Sequence, residues 1–137
     1  MSDLSPDAVA AFWWQRARSD LLLGMAALET AGVCPEDACF HAQQCAEKAL
    51  KGLLCHRGIA FPRTHVLEVL LDLLKANGVC VPDAVDKAFA LTQYAVQTRY
   101  PGEWEPVTPE EATAALQQAG QVLVWVEKQM QGSSGVA

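Results

Sequence analysis

The sequence predicts an all-α protein folded as an up-and-down bundle of about five helices. Apolar residues recur every three or four positions over long segments, helix-start signals containing proline recur along the chain, and no segment alternates apolar and polar residues as a strand does. The chain has 137 residues, about half of them apolar, which is enough to bury the core of one domain. We expect one bundle over residues 1–131 and a flexible, linker-like tail over residues 132–137.

Five start signals give the order of the helices. They are Ser5-Pro6-Asp7, Pro35-Glu36-Asp37, Thr64, Pro82-Asp83 and Thr108-Pro109-Glu110-Glu111. Gly58 ends the second helix, and the fourth must stop near Thr98 because Pro101 disfavours a helical conformation in the residue before it. At the start of the fifth helix, the Thr108 hydroxyl and the Glu111 carboxylate are expected to cap each other reciprocally.

The first helix carries more apolar surface than one face can hold. Its core face is expected to comprise Ala10, Trp14, Ala17, Leu21, Met25 and Leu28. Arg16 and Asp20 lie one turn apart on another face and can pair weakly. Phe12, Trp13 and Trp14 are adjacent, so at least one of these aromatic side chains must point away from the core. We therefore expect a homodimer with these aromatic residues near the interface.

The later helices show equally regular apolar faces. The third has a polar stripe of Glu68, Asp72 and Lys75 opposite its leucines. The fourth is expected to bury Val85, Phe89, Ala95 and Val96. The fifth is expected to bury Ala112, Ala115, Leu116, Ala119, Val122, Val126 and Met130.

Charge and composition exclude several classes of protein. The net charge of -6 argues against a protein that coats nucleic acid non-specifically, although a small basic cleft remains compatible with it. No apolar run approaches the roughly 20 residues that cross a bilayer. The start, Met1-Ser2-Asp3, is acidic and does not resemble a signal peptide. We expect a cytoplasmic protein that does not associate with membranes.

The five cysteines form no CxxC pair, which is typical of reduced thiols packed as small apolar residues. Cys39, His41 and Cys45 are conceivable metal ligands, but their spacing matches none of the common zinc patterns. We therefore expect no metal and no other cofactor.

The second helix has two contrasting faces. One face is apolar and rich in alanine, which allows a neighbouring helix to approach closely; it comprises Ala42, Ala46, Ala49, Leu50 and Leu53. The opposite stripe comprises Gln44, Glu47, Lys48 and Lys51. Such a stripe is also typical of a solvated face with ordinary glutamate–lysine pairing. Spacing alone therefore does not define a site.

Three separated motifs in this order resemble the HEPN family, whose name refers to nucleotide binding in higher eukaryotes and prokaryotes. They are the string from His41 to Lys51, the Thr64-His65 pair, and Arg99-Tyr100-Pro101. The resemblance implies a helical bundle, usually dimeric, that is often encoded beside a small nucleotidyltransferase. Many family members are metal-independent ribonucleases or toxins that use an arginine and a histidine separated by four to six residues.

The chain departs from that ribonuclease pattern. Arg57 lies too far before His65 and Arg63 lies too near, while Arg99 has no histidine downstream. Leu67 stands where a tyrosine often follows the catalytic histidine. These departures favour a binding protein over an enzyme, and they leave His65 as the one candidate catalytic residue.

Seven residues are candidates for contact with a ligand. They are Gln44, Lys48, Lys51, Arg63, His65, Arg99 and Tyr100. The lysines and arginines can donate to a phosphate, Gln44 can bond a base or ribose edge, and Tyr100 can stack on a base. Each has a structural alternative. His65 can cap its own helix, Tyr100 and Trp104 can anchor a loop, and Arg99 can pair with Glu47.

These residues lead to three hypotheses about function. The first is a nucleotide- or RNA-associated module with a cleft between the second and third helices and the Arg99–Gly102 loop. The second is a metal-independent ribonuclease or toxin, with His65 as general base and Arg99 or Arg63 stabilising the phosphorane charge. The third is a non-catalytic dimerisation partner that binds a nucleotidyltransferase. His41 and His56 are expected to be surface residues without a role in any of the three.

Overall fold

A computed structural model describes residues 4–96, 100 and 102–132, and these residues contain helices but no strand. The helices are α1 (Pro6–Glu29), α2 (Pro35–His56), α3 (Leu67–Ala76), α4 (Asp83–Asp86), which continues as a 3-10 helix (Lys87–Ala95), and α5 (Pro109–Gly132). The predicted all-α bundle of five helices is confirmed. None of the described helices is long and apolar enough to span a membrane. Gly132 is the last residue of α5, and the rest of the predicted tail lies outside the described residues.

Helix α2 is the centre of the bundle, since it packs along α1 and α5 and also contacts α3 and the 3-10 helix. Its predicted apolar face is completely buried, as are Leu54 and Cys45 beside it. Two glycines lie where helices are in close contact. A β-carbon at Gly24 on α1 would lie 3.2 Å from the Ala38 carbonyl oxygen on α2 and 2.6 Å from Leu116 Cδ2 on α5, and one at Gly52 on α2 would lie 3.0 Å from Trp13 Cβ on α1. A larger side chain at either position would collide with a neighbouring helix, so glycine allows the close contact.

The start of α3 differs from the sequence prediction. The helix begins at Leu67, three residues after Thr64. The Thr64 hydroxyl accepts a hydrogen bond from the Val66 amide, and the Leu67 amide donates to the hydroxyl of Thr92 at 3.0 Å. The prediction that Thr64 caps this helix was therefore wrong. Thr92 reaches α3 from the 3-10 helix and supplies the acceptor instead.

The predicted fourth helix is α-helical for one turn only. From Lys87 the backbone tightens to a 3-10 helix, which ends at Ala95. The buried residues are spaced three apart, at Val85, Ala88, Leu91 and Tyr94, which matches the three residues per turn of a 3-10 helix. The sequence prediction assumed an α-helix with 3.6 residues per turn and placed Phe89 and Val96 in the core. That placement was wrong, because both residues are exposed.

The core face of α1 is narrower than predicted. Its buried residues are Ala10, Ala17, Asp20 and Gly24, whereas Met25 is exposed. The predicted pairing of Asp20 with Arg16 was wrong, since Asp20 turns towards α2 and bonds His41 and Lys48 there. The expectation that one adjacent aromatic points outward is confirmed, because Phe12 is 58% exposed.

Helix α5 matches its predicted face, with Leu123 added to the buried set and Met130 only partly buried. The Thr108 hydroxyl caps it, accepting from the Glu111 amide at 3.0 Å. The reciprocal half of the expected capping box is missing, because the Glu111 carboxylate accepts a hydrogen bond from the Tyr94 hydroxyl instead. This contact ties the start of α5 to the 3-10 helix.

Candidate functional site

The polar stripe of α2 is divided between two groups of interacting side chains. The first, here the His65 cluster, comprises Gln43, Glu47, Lys51 and His65. The second, the His41 cluster, comprises Asp20, His41 and Lys48. In each, one buried carboxylate is shared by a lysine and a histidine. The stripe is therefore an organised polar network and not a freely solvated face.

Glu47 is the centre of the His65 cluster. Its Oε1 atom accepts from Gln43 Nε2 at 3.0 Å and lies 2.9 Å from His65 Nδ1, and its Oε2 atom accepts from Lys51 Nζ at 2.8 Å. The side chain of Glu47 is only 5% exposed. A buried carboxylate is tolerated when its lone pairs are satisfied and its charge is balanced, and Lys51 balances it here.

Two opposing effects set the pKa of Glu47. Burial alone raises it, because the charged form loses its hydration. The hydrogen bonds from Lys51, Gln43 and His65, together with the positive charge of Lys51, outweigh burial and hold the pKa below its ordinary value. Glu47 is therefore ionised at neutral pH and acts only as a hydrogen-bond acceptor.

The ammonium group of Lys51 lies close to two aromatic rings. Its Nζ atom lies 5.7 Å from the centroid of the Trp13 ring and 5.9 Å from that of Phe61. Both distances are within the range of a cation–π interaction. Trp13 comes from α1 and Phe61 from the loop after α2, so these contacts fasten the loop to the helix pair.

The imidazole of His65 is exposed to solvent, beside the buried carboxylate of Glu47. Its side chain is 70% exposed, and its backbone carbonyl accepts from Gln43 Nε2 at 3.0 Å. Since the ionised carboxylate of Glu47 can only accept, Nδ1 of the ring must carry the proton. The opposite ring nitrogen, Nε2, is left for another partner. The alternative that His65 caps its own helix is wrong.

The His41 cluster joins α1 to α2. Asp20 is buried; its Oδ1 atom lies 2.9 Å from His41 Nδ1, and its Oδ2 atom accepts from Lys48 Nζ at 2.6 Å. The His41 and Lys48 side chains are both partly buried. The expectation that His41 and His56 are surface residues was wrong, because His56 is also largely buried and pairs with Asp7 at 3.0 Å.

The structure brings four of the seven predicted ligand residues together around α2. Gln44 lies between the two clusters and donates to the side-chain oxygen of Gln43 at 2.8 Å. Lys48 and Lys51 are committed to the ion pairs described above, and His65 lies over Glu47. Arg63 is exposed two residues before His65.

Among the other candidate residues, the structure describes Tyr100 and Trp104. Tyr100 is 79% exposed, and Trp104 is also exposed. Arg99 lies outside the described residues, and so does its suggested pairing with Glu47. Cavities between the 3-10 helix and α5 and between α1 and α5 are lined by other residues. The described part of the predicted site is thus a surface around His65.

The sequence prediction missed Gln43 and Asp20 as parts of this network. Gln43, Glu47 and Lys51 are spaced four residues apart, so their spacing signalled a chain of contacts along one edge of α2. No comparable signal existed for Asp20, whose partners lie 21 and 28 residues away. Within the described part of the chain, no group of three histidine, cysteine or acidic side chains is arranged to hold a metal ion.

A family model, a protein sequence and two crystal structures are similar to this chain over most of its length. The family model described as HEPN domain matches residues 10–129. A protein of Methanocaldococcus jannaschii named "Putative toxin MJ1304" is 32% identical over 123 residues, which cover 80% of each chain. Two crystal structures, of ST0689, described as an archaeal HEPN homologue, and of TT1696 from Thermus thermophilus, are 31% and 36% identical, with TM-scores of 0.71 and 0.73. Each alignment covers 88% of this chain and 97% of the other. The chain belongs to the HEPN domain family.

Proposed function

We propose that this HEPN protein binds RNA or a nucleotide through the surface around His65. The observation that carries the proposal is the exposed imidazole fixed by the buried carboxylate of Glu47. A histidine held in this way costs little further entropy when it contacts a ligand, because its orientation is already set. Its free ring nitrogen can contact a phosphate or a base edge.

Arg63 supplies the positive charge that such a ligand requires. It is exposed beside His65, and no described residue forms an ion pair with it. Lys48 and Lys51 contribute less, since each is already neutralised by a carboxylate. Gln44, which is partly exposed between the clusters, offers an amide to a base or ribose. The proposed surface is therefore a small basic patch on an acidic protein.

Calorimetric titration with a nucleotide panel and short single-stranded RNAs tests this proposal. We expect Arg63→Gln and His65→Ala to weaken binding about tenfold or more. Arg18→Gln is the matched control, because Arg18 is also an exposed arginine, lies on α1 and belongs to neither cluster. Absence of binding to every ligand, or equal losses from Arg18→Gln and Arg63→Gln, would refute the proposed surface.

A metal-independent ribonuclease is the second candidate function. The specific observation in its favour is that Glu47 accepts from Nδ1 of His65, so Nε2 is the ring nitrogen that can act as a base. The Methanocaldococcus jannaschii relative is named a putative toxin, which agrees with the toxin role in this hypothesis. Arg63 would stabilise charge on the phosphorane, and Arg99 is the other candidate for that role. RNA cleavage that persists in EDTA and disappears in His65→Ala would establish it.

We also propose that the protein forms a homodimer through the outer face of α1. Phe12, Leu22, Leu23 and Met25 are all exposed on this helix. Large apolar side chains concentrated on one surface element favour a protein partner. Sedimentation at micromolar concentration should give twice the mass of 14.8 kDa. A single monomeric species would refute the dimer.

A nucleotidyltransferase is the partner that the family resemblance implies. The acidic character of the chain suits a protein partner at least as well as RNA. If the protein is a non-catalytic dimerisation partner, it should co-purify with a nucleotidyltransferase encoded beside it, and neither His65→Ala nor Arg63→Gln should affect that complex.

A further inference from the structure

A second surface, lined by no residue of the His65 cluster, has the composition of a ligand site. A cavity of about 370 Å³ lies between the first half of α1 and the end of α5, and the last residue of α2, His56, closes one side. Trp14, Ala11 and Met130 provide an apolar lining. None of the residues proposed to bind RNA lines this cavity.

The indole of Trp14 is held in a fixed orientation. Its Nε1 atom donates to the carbonyl oxygen of Leu123 on α5 at 3.3 Å. The ring is partly buried between α1 and α5 and belongs to the edge of the core. A ligand entering the cavity therefore meets a preformed aromatic surface and does not have to order it.

The charges around the cavity are acidic. Asp7 and Glu127 line it, and no described lysine or arginine does. Asp7 pairs with His56, whereas Glu127 is a partly buried residue whose carboxylate pairs with no described residue. A partly buried carboxylate without a counter-charge beside an aromatic ring is suited to a cation. The same charges disfavour a phosphate.

We propose that this cavity binds an organic cation with an aliphatic stem, the chemistry shared by arginine and lysine side chains and by free aliphatic amines. The charged group lies against the Glu127 carboxylate, and the stem packs on Trp14 and Met130. Such ligands combine an apolar stem with a charged end, which is the combination that the lining offers. The proposal does not depend on RNA binding at His65.

Titration followed by NMR tests the proposal, with the indole N–H signal of Trp14 as the readout. The probes are N-acetyl-arginine amide, the neutral isostere N-acetyl-citrulline amide, agmatine and 1,4-diaminobutane. We expect the arginine probe to shift the Trp14 signal saturably and to bind about tenfold more tightly than the citrulline probe. Tighter binding by the two free amines would identify small amines as the source of the cation, and tighter binding by the arginine probe would identify a protein side chain.

Matched variants locate the charge that is responsible. Glu127→Gln should weaken binding of the cationic probes about tenfold. Glu110→Gln removes the same charge from the exposed start of α5 and should leave the affinity unchanged. Arg63→Gln should also leave it unchanged, which separates this site from the proposed RNA surface. Equal affinity for arginine and citrulline probes, or an unchanged affinity in Glu127→Gln, would overturn the proposal.

Discussion

His65 Nδ1 lies 2.9 Å from Oε1 of Glu47, although the two residues are 18 positions apart, one in the middle of α2 and the other near the end of the loop before α3. The loop therefore returns to the middle of α2 and does not project from its end. It is held there by the hydrogen bond from Gln43 Nε2 to the backbone carbonyl oxygen of His65 and by the packing of Phe61 against Lys51. One exposed imidazole is thus positioned by an almost completely buried carboxylate.

Replacing Glu47 with glutamine should destabilise the protein in a pH-dependent way. At neutral pH the variant leaves Lys51 without its counter-charge, and we expect a loss of about 2–4 kcal/mol in the free energy of unfolding. Because the folded pKa of Glu47 lies below its ordinary value of 4.5, its contribution is present above 4.5 and is lost as the pH falls through the folded pKa. Urea unfolding of both proteins at several pH values measures the difference.

The exposed carboxylate of Asp72 provides the control for this prediction. Asp72→Asn should change the free energy of unfolding by less than about 0.5 kcal/mol at neutral pH. A Glu47→Gln effect of the same small size, or one that grows as the pH falls below 4.5, would contradict the role assigned to Glu47.

Removal of the Asp20 carboxylate should weaken the contact between α1 and α2. In Asp20→Ala, both Lys48 and His41 lose their partner within a largely buried interface. We expect a loss of about 2–3 kcal/mol, measured by urea unfolding. The double variant Asp20→Ala/Lys48→Met should lose less than the sum of the two single changes, because the single change at Asp20 leaves a charge unpaired. Strict additivity would show that the pair is not coupled.

Alanine at two helical glycines should have effects of opposite sign. At Gly52 a β-carbon would lie 3.0 Å from Trp13 Cβ and 3.2 Å from the Ala10 carbonyl oxygen, so Gly52→Ala should destabilise by about 1–3 kcal/mol. At Gly120 the nearest atom, Leu21 Cδ2, would be 3.9 Å away, and Gly120→Ala should stabilise by about 0.5–1 kcal/mol. Thermal unfolding measures both. A stabilising Gly52→Ala would contradict the close approach of α1 and α2.

The thiols should differ strongly in their reaction with a disulfide reagent. Cys34 and Cys80 are exposed and should react rapidly in the native protein. Burial, reinforced by the charge of Asp20, raises the pKa of Cys45 to about 12, so that thiol stays protonated and unreactive until the chain unfolds. Because the pKa of Cys45 is higher in the folded protein than its ordinary value of 9.0, the unfolded chain loses this proton first. The free energy of unfolding should therefore fall as the pH rises above 9.0. Rapid reaction at Cys45, detected by mass spectrometry at pH 8, would contradict this burial.

Part of the candidate site was predictable from local spacing. Lys48 and Lys51 were correctly placed on one side of α2, because helical periodicity fixes which residues share a face. Periodicity does not say what covers that face. The structure covers it with Asp20 from α1 and with the loop carrying Phe61 and His65, and these contacts join residues far apart in the chain.

The helical class, the order of the elements and the alanine-rich core face of α2 were predictable from the residues alone, since capping and periodicity act within a few residues. Three features were not predictable in this way: Thr92 caps α3, the segment from Lys87 is a 3-10 helix, and the lysines of α2 are paired. Each of these outcomes depends on a partner brought close by packing. Local sequence favours a helical conformation, whereas the burial and pairing of charges are set by the neighbours that the fold supplies.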